Sequence, residues 1–226
     1  TAMTEGAPVL SVRDLHFPAL PPMTFDIRRG EIAFLRDENY NTGRRLHECF
    51  LGDRGWTSGF FRLNGRLYQP GDLGRVIGSE IGIQIERPDR PGGVLFDNMT
   101  ALDNLCTSLI PKAGQHIIRK KIVSSILSEA LRWFPKEMLL QPLSSWSYPE
   151  RLRFSYYRWY LLNPRLLICF FPFAGQESTH HKMIIDLLVL CAQRGMAVWI
   201  ISSGIDAICE KTDNEEFLRR LHYLNK

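Results

Sequence analysis

The strongest constraint on how this chain can fold is a pair of unbroken apolar runs in its second half. Leu166 to Phe171 reads LLICFF, Gly195 to Ser203 reads GMAVWIISS, and a helix-length segment from about Thr179 to Arg194 lies between them. A strand with one wet face alternates apolar and polar residues, so a run that is apolar at every position belongs to a sheet covered on both faces. Upstream, Pro149 to about Leu162 predicts a helix that stops at Asn163-Pro164, because a residue before proline disfavours the helical region. Beyond Ser203 one more helix is expected, ending in a polar, charged tail. Helix, strand, helix, strand, helix with continuous apolar strands predicts a parallel sheet packed on both sides.

The first half has a different texture. Val9 to Phe17 alternates and runs into Pro18, Pro21 and Pro22, which predicts an edge-type strand followed by a loop. Met23, Phe25 and Ile27 alternate, Arg29-Gly30 turns, and Glu31 to Leu35 is a short buried strand. Leu46, Cys49 and Phe50 fall at helical spacing before Gly52. Asn64-Gly65 between two apolar runs predicts a hairpin. Ile81 to Ile85 is a further short strand, leading into a Pro/Gly/Arg loop. From Met99 to about Phe134 the pattern is helical, with an apolar stripe of Ile117, Ile118, Ile122, Ile126, Leu127, Ala130, Leu131 and Phe134.

Composition excludes several classes. With 226 residues, 45% of them hydrophobic, the chain can bury a substantial core as one large α/β domain or two small ones. The net charge of +4 comes without a long Lys/Arg block, so charge gives no argument for nucleic acid or an anionic membrane. The five cysteines are widely spaced and form no CxxC pair, which reads as reduced thiols, neither a disulfide frame nor a zinc site. No signal peptide or apolar run of bilayer length is visible.

The order of the pieces is itself a motif. A strand, loop and helix come early and a helical middle follows. Then a loop opens a helix that leads through Asn163-Pro164 into an apolar strand, a turn, a helix and a last strand ending Ser202-Ser203. This resembles the ATP-binding cassette (ABC) ATPase domain, and more narrowly the second cassette of the fused two-cassette ATPases of ribose/galactose-type sugar importers, from about Val9 to Asp213. The resemblance implies an α/β, P-loop NTPase-like fold: a mostly parallel sheet, an N-terminal antiparallel β part and a helical subdomain at about 99–162. The expectation is a single domain over 4–226, with Thr1-Ala2-Met3 an appended remnant.

The catalytic letters of that family are largely replaced. Its phosphate loop needs glycines so that backbone N–H groups can surround phosphate, a cation for the β and γ oxygens, and a Ser/Thr hydroxyl for magnesium. The corresponding text here is NTGRRLHE, similar to the GAGRTEL of second cassettes. With a one-residue deletion Gly43 takes the glycine position, Arg44 the cation and Arg45 the magnesium-hydroxyl position; without a gap Gly43 itself takes the lysine position. Neither register supplies a hydroxyl after the cation, and Asp37 and Glu38 bring negative charge to a place where phosphate would sit. A solvated helix start is the plain alternative. Arg87, Asp89 and Arg90 lie in text that resembles a loop particular to the second sugar cassette and are expected to face a partner; a surface loop is the alternative, and Gln84 just upstream receives no role.

Three further positions follow from the resemblance. Ser147 falls on the serine of the LSGGQ signature, while Tyr148 and Pro149 replace both glycines; Glu150 three residues on makes Ser147 a plain helix cap. In the strand Leu166 to Phe171, Phe170 stands where the magnesium aspartate belongs and Phe171 where the water-polarising glutamate belongs. Pro172 and Gly175 are kept, Phe173 replaces a threonine, and Glu177 takes an acidic position that can contact a partner cassette. Ser203 stands at the switch histidine, a departure shared with sugar-importer cassettes. The adjacent His180 and His181 cannot face one site on a helix, so no metal pair is expected.

These positions predict a degenerate, non-hydrolysing cassette, leaning away from an enzyme, that acts as a regulatory or pairing module linked to a carbohydrate transport system. No cofactor is expected, with ATP and magnesium as the alternative. The partners implied are a second cassette, as a homo- or heterodimer, or a sugar-type permease at the inner face of the membrane, with a fused regulatory domain as a further option and no nucleic acid. Two other readings stay open: an importer subunit that binds ATP and hydrolyses it with a partner cassette, and a module that binds another anionic ligand or a protein through Arg44, Arg45, Arg87 and Arg90 in the old nucleotide cleft.

Overall fold

The two apolar runs are neighbouring parallel strands at the centre of the molecule. The computed structural model describes residues 6–53, 55–85, 95–109, 116–174 and 178–224. In chain order the elements are β1 (Leu10–His16), β2 (Met23–Ile27), β3 (Ile32–Arg36), α1 (Asn41–Leu51), β4 (Ser58–Leu63), β5 (Arg66–Tyr68), α2 (Pro70–Leu73) and β6 (Ile81–Ile85). There follow α3 (Ala101–Leu109), α4 (His116–Ala130), α5 (Lys136–Leu139), α6 (Tyr148–Leu162), β7 (Leu166–Phe170), α7 (Ser178–Gln193), β8 (Ala197–Ser202), α8 (Ile205–Cys209), α9 (Glu215–Arg220) and β9 (Leu221–Tyr223). One sheet is parallel with strand order β6-β7-β8-β3-β9; the other is antiparallel with order β2-β1-β4-β5.

The parallel strands are apolar throughout because their side chains enter two separate cores. Leu166, Ile168 and Phe170 of β7, with Ala197, Trp199 and Ile201 of β8, pack toward α1 and the antiparallel sheet. Leu167 and Cys169, with Val198 and Ile200, pack toward α6 and α7. Strand periodicity of two therefore sorts one continuous apolar run into two layers. A third core holds Ala101, Leu105, Ile126, Ala130, Phe134, Trp146, Phe154 and Tyr157. The helix α6 serves two cores at once, with Leu152 and Tyr156 in one and Phe154 and Tyr157 in the other. Its seat on β6 depends on Gly82, where an added Cβ would lie 2.9 Å from the Trp159 ring.

Some expectations are met and others corrected. Asn64 and Gly65 both take positive φ, 48° and 77°, and make the hairpin turn between β4 and β5. Asn163 closes α6 in the left-handed region, with its N–H on the Trp159 carbonyl at 2.9 Å. The first strand is not an edge: β1 lies between β2 and β4, and Asp14 with φ 46° marks the register shift that its alternation hides. The expected last helix is two short helices followed by β9, which adds to the parallel sheet beside β3. Leu131 leaves the expected stripe and is 44% exposed, because α4 ends at Ala130 and the chain turns there.

Burial also sets thiol chemistry. It pushes the Cys49 thiol up to about 11 and the Cys191 thiol up to about 12, and Cys169 is fully buried. Because the thiolate is the reacting species, a disulfide-exchange reagent at neutral pH is expected to modify the half-buried Cys106 and Cys209 before the other three. Peptide mapping during the time course checks the order; prompt labelling of Cys191 in folded protein would contradict this packing.

Candidate functional site

In an open parallel sheet the functional crevice lies past the carboxyl ends of the strands. Here β3, β7 and β8 end side by side, and the loops that leave them bring Asp37, Phe171 and Ser203 to one edge. Asp37 donates its N–H to the Ser202 carbonyl at 2.9 Å, and Phe171 donates its N–H to the Ile201 carbonyl at 2.8 Å. The chain then climbs from Asp37 to Tyr40, which takes φ 58° and caps α1. Tyr40 is not a glycine, and the left-handed region costs such a residue of order 1 kcal/mol, so the surroundings must hold it there.

They do so through Asp37 and Phe171. Asp37 is only 6% exposed, and its carboxylate accepts the Gly43 N–H at 2.7 Å and the Thr42 N–H at 3.3 Å. The first N–H groups of a helix have no partner within the helix and favour an anion. In α1 a carboxylate of the same chain holds that place. Phe171, itself at φ 53°, lays its ring over Gly43 so closely that a Cβ there would lie 2.5 Å from Cζ. The Tyr40 and Phe171 rings meet at 4.6 Å. An aromatic pair and a buried carboxylate thus cover the first turn of α1.

The two arginines beside Gly43 do not converge on that turn. Arg44 is exposed, and Arg45 pairs with Glu48 one turn along the helix at 3.2 Å. Glu38 lies 3.9 Å from Arg36, which also bonds Asp206 of α8 at 2.5 Å. Phe170 is 1% exposed and faces the His47 ring at 5.6 Å, so the position is core. Ser203 is half-buried at the end of β8, beside Gly204, which starts α8 in the left-handed region.

Gln84 is committed elsewhere. Its amide donates to Ser155 Oγ at 3.0 Å and accepts from Trp159 Nε1 at 2.9 Å, which ties β6 to α6 inside the core. Ser147 caps α6, and the Glu150 carboxylate accepts from its N–H at 2.8 Å and its hydroxyl at 2.6 Å, holding the Glu150 carboxyl below its usual range. Tyr148 meets the His180 ring of α7 at 5.6 Å, and Phe173 meets His181 at 5.5 Å. His180 and His181 therefore touch different rings. Arg87, Asp89, Arg90, Gly175 and Glu177 lie outside the described residues. Among the described residues no group of three or more His, Cys, Asp and Glu could hold a metal ion, and no helix is long and apolar enough to cross a membrane.

Sequence reasoning placed Asp37 near the loop but missed its hydrogen bonds to α1 and the Tyr40–Phe171 contact. The available signal was an acid six residues ahead of the lone loop glycine, at the end of a buried strand.

Comparison with known proteins bears on the whole chain. No protein-family model matches it. A Pseudomonas syringae protein named for ribose/galactose/methyl galactoside import ATP binding is 26% identical over 212 residues, 92% of this chain. The galactofuranose transporter ATP-binding protein YtfR of Escherichia coli K12 is 23% identical over 202 residues, 89% of this chain. The chain spans 40% of the length of the first of these and 39% of the second. Among solved structures, cbiO1 of Clostridium perfringens, part of the ABC transporter complex cbiONQ, superposes with a TM-score of 0.73 at 20% identity, covering 96% of this chain and 84% of that one. The ADP conformation of the cassette MJ1267 gives 0.70 at 14% identity, covering 96% and 87%. The dimeric cassette MJ0796 gives 0.62 at 16% identity, covering 95% and 93%. The chain has the fold of the ATP-binding cassettes of ABC transporters, and in sequence it is similar to proteins named for ribose/galactose/methyl galactoside import ATP binding.

Proposed function

We propose that the chain is a cassette of a carbohydrate import system that does not hydrolyse ATP and serves instead to pair with or regulate an active cassette. The observation that carries this reading is the Asp37 carboxylate on the Gly43 and Thr42 amides, the position at which a cassette would present backbone N–H groups to phosphate. A phosphate brought to the same amides meets a fixed negative charge. Two unit charges about 4 Å apart repel by about 4 kcal/mol at the effective dielectric of a protein surface, which cancels most of the about 3–6 kcal/mol that two hydrogen bonds to a charged group would contribute. Phe170 and Phe171 remove the groups that would hold magnesium and orient water. The names of the relatives support the carbohydrate link, and the dimeric cassette among the similar structures supports a second cassette as the partner, with a sugar-type permease beyond it. Those same names, ATP-binding proteins throughout, favour a second reading in which the chain binds ATP and hydrolyses it with a partner.

Calorimetric titration with MgATP, MgADP and metal-free ATP separates the two, combined with phosphate-release assays on the chain alone and with a co-purified cassette. The expected result is no saturable heat and no release from the chain alone. Micromolar, magnesium-dependent binding would establish the second reading.

A further inference from the structure

A cavity of about 490 Å³ opens between α7 and α8, away from the covered turn of α1. Its volume is within the range of small-molecule sites, roughly 300–1,000 Å³. Its walls grow out of the crevice loops: α7 follows the segment that carries Phe171 and Phe173, and α8 follows Ser203-Gly204. The lining has two characters. Ile185 and Ile208 are buried and give an apolar floor. Lys182, Lys211, His181, Thr179 and Thr212 form the rest, with Asp213 the one acid.

The charges at the mouth are available. Lys211 is exposed and has no ion-pair partner among the described residues. Lys182 holds Asp213 at 3.1 Å, but their side chains are 64% and 78% exposed, and water screens a pair so wet, so exchanging Asp213 for another carboxylate costs little. His181 also lines the cavity, and its Nε2 is buried with no hydrogen-bond partner among the described residues, an orphan that a ligand oxygen or a water would satisfy.

We propose that this cavity binds a small aliphatic carboxylate, its tail on Ile185 and Ile208 and its charge shared by Lys182 and Lys211. The isoleucine floor selects against a bare phosphate, which has nothing to place there, and the lysines select against a neutral amide. A ligand in this position bridges the helices that follow the Phe171 and Ser203 loops, and it lies beside His181, whose ring meets that of Phe173 at 5.5 Å.

The test is saturation-transfer NMR on the whole chain with pentanoate and pentanamide as the observed probes and inorganic phosphate, which has no carbon-bound protons, added as a competitor of the pentanoate signal, with no nucleotide present. Pentanoate is expected to bind saturably, and pentanamide and phosphate at least about tenfold more weakly, the loss of one charge-assisted contact. Lys182→Ala/Lys211→Ala, two exposed positions, is expected to weaken pentanoate by a similar factor while its thermal midpoint stays native. Pentanoate that fails to saturate, pentanamide or phosphate binding as well as pentanoate, or unchanged affinity in the double variant would each overturn the proposal. Neither phosphate chemistry nor magnesium enters the pentanoate measurement, so its outcome is separate from that of the nucleotide titrations.

Discussion

Phe170→Asp, which puts a carboxylate where the resemblance to cassettes expects the magnesium ligand, is expected to cripple folding and to create no metal site. Phe170 is 1% exposed, packed among Ile168, Ile201 and the His47 ring. Losing a buried phenyl costs roughly 3–5 kcal/mol through lost transfer energy and the cavity left behind. The carboxyl that replaces it adds about 1–3 kcal/mol if it stays without a partner, and more if it ionises. Domains of this kind are stable by only about 5–15 kcal/mol, so the variant stands near or past the folding threshold. Urea unfolding at 25 °C measures this, with Phe170→Leu as the control that keeps the site apolar and costs about 1–2 kcal/mol. A folded Phe170→Asp protein with a native midpoint that gains stability on adding magnesium would show that β7 still ends at a metal edge.

That expectation rests on the part of the fold most legible in the sequence. Unbroken apolar runs imply burial on both faces, and β7 and β8 divide their side chains between two cores accordingly. Local chemistry was legible for the same reason: Ser147 with Glu150, Asn64-Gly65 and Asn163-Pro164 each act over a few residues. What escaped depends on partners distant in the chain. The strand β9 is three residues long and joins the sheet through backbone pairing with β3, to which Leu221, His222 and Tyr223 contribute no pattern. The central position of β1 is set by β4, about fifty residues away, and the loop prolines gave a false edge signal. In the candidate site, the residues themselves, Phe170, Phe171, Tyr148 and Pro149, were legible as letters. That Asp37 closes onto Gly43, and that the rings of Tyr40 and Phe171, both in left-handed backbones, meet at a tilt, follows only once β3 and β7 flank β8 in the sheet.

Asp37→Ala is expected to lower stability and, with the same change, to open the first turn of α1 to anions. The carboxylate accepts two N–H groups that have no partner inside the helix, and removing such a cap costs about 0.5–2 kcal/mol. Its charge adds about 0.3–1 kcal/mol at the helix start, up to about 2 where the site is partly buried. A loss of about 2 kcal/mol is therefore expected for Asp37→Ala, and about half of that for Asp37→Asn, which keeps an acceptor and discards the charge. The discriminating measurement is the thermal midpoint with and without inorganic phosphate at constant ionic strength. Wild-type protein, with its amides already held by Asp37, is expected to show no shift. In Asp37→Ala those amides are free, and an anion present at about ten times its dissociation constant stabilises by about 1.4 kcal/mol, a shift of a few degrees for a domain of this size. Removing the ring as well, in Asp37→Ala/Phe171→Ala, uncovers Gly43 and is expected to enlarge the phosphate shift, because the ring that now lies over that residue is gone. Equal stabilisation of the wild-type protein by phosphate would mean that the carboxylate does not occupy the site. No loss of stability in Asp37→Ala would mean that its hydrogen bonds contribute nothing beyond the desolvation they require.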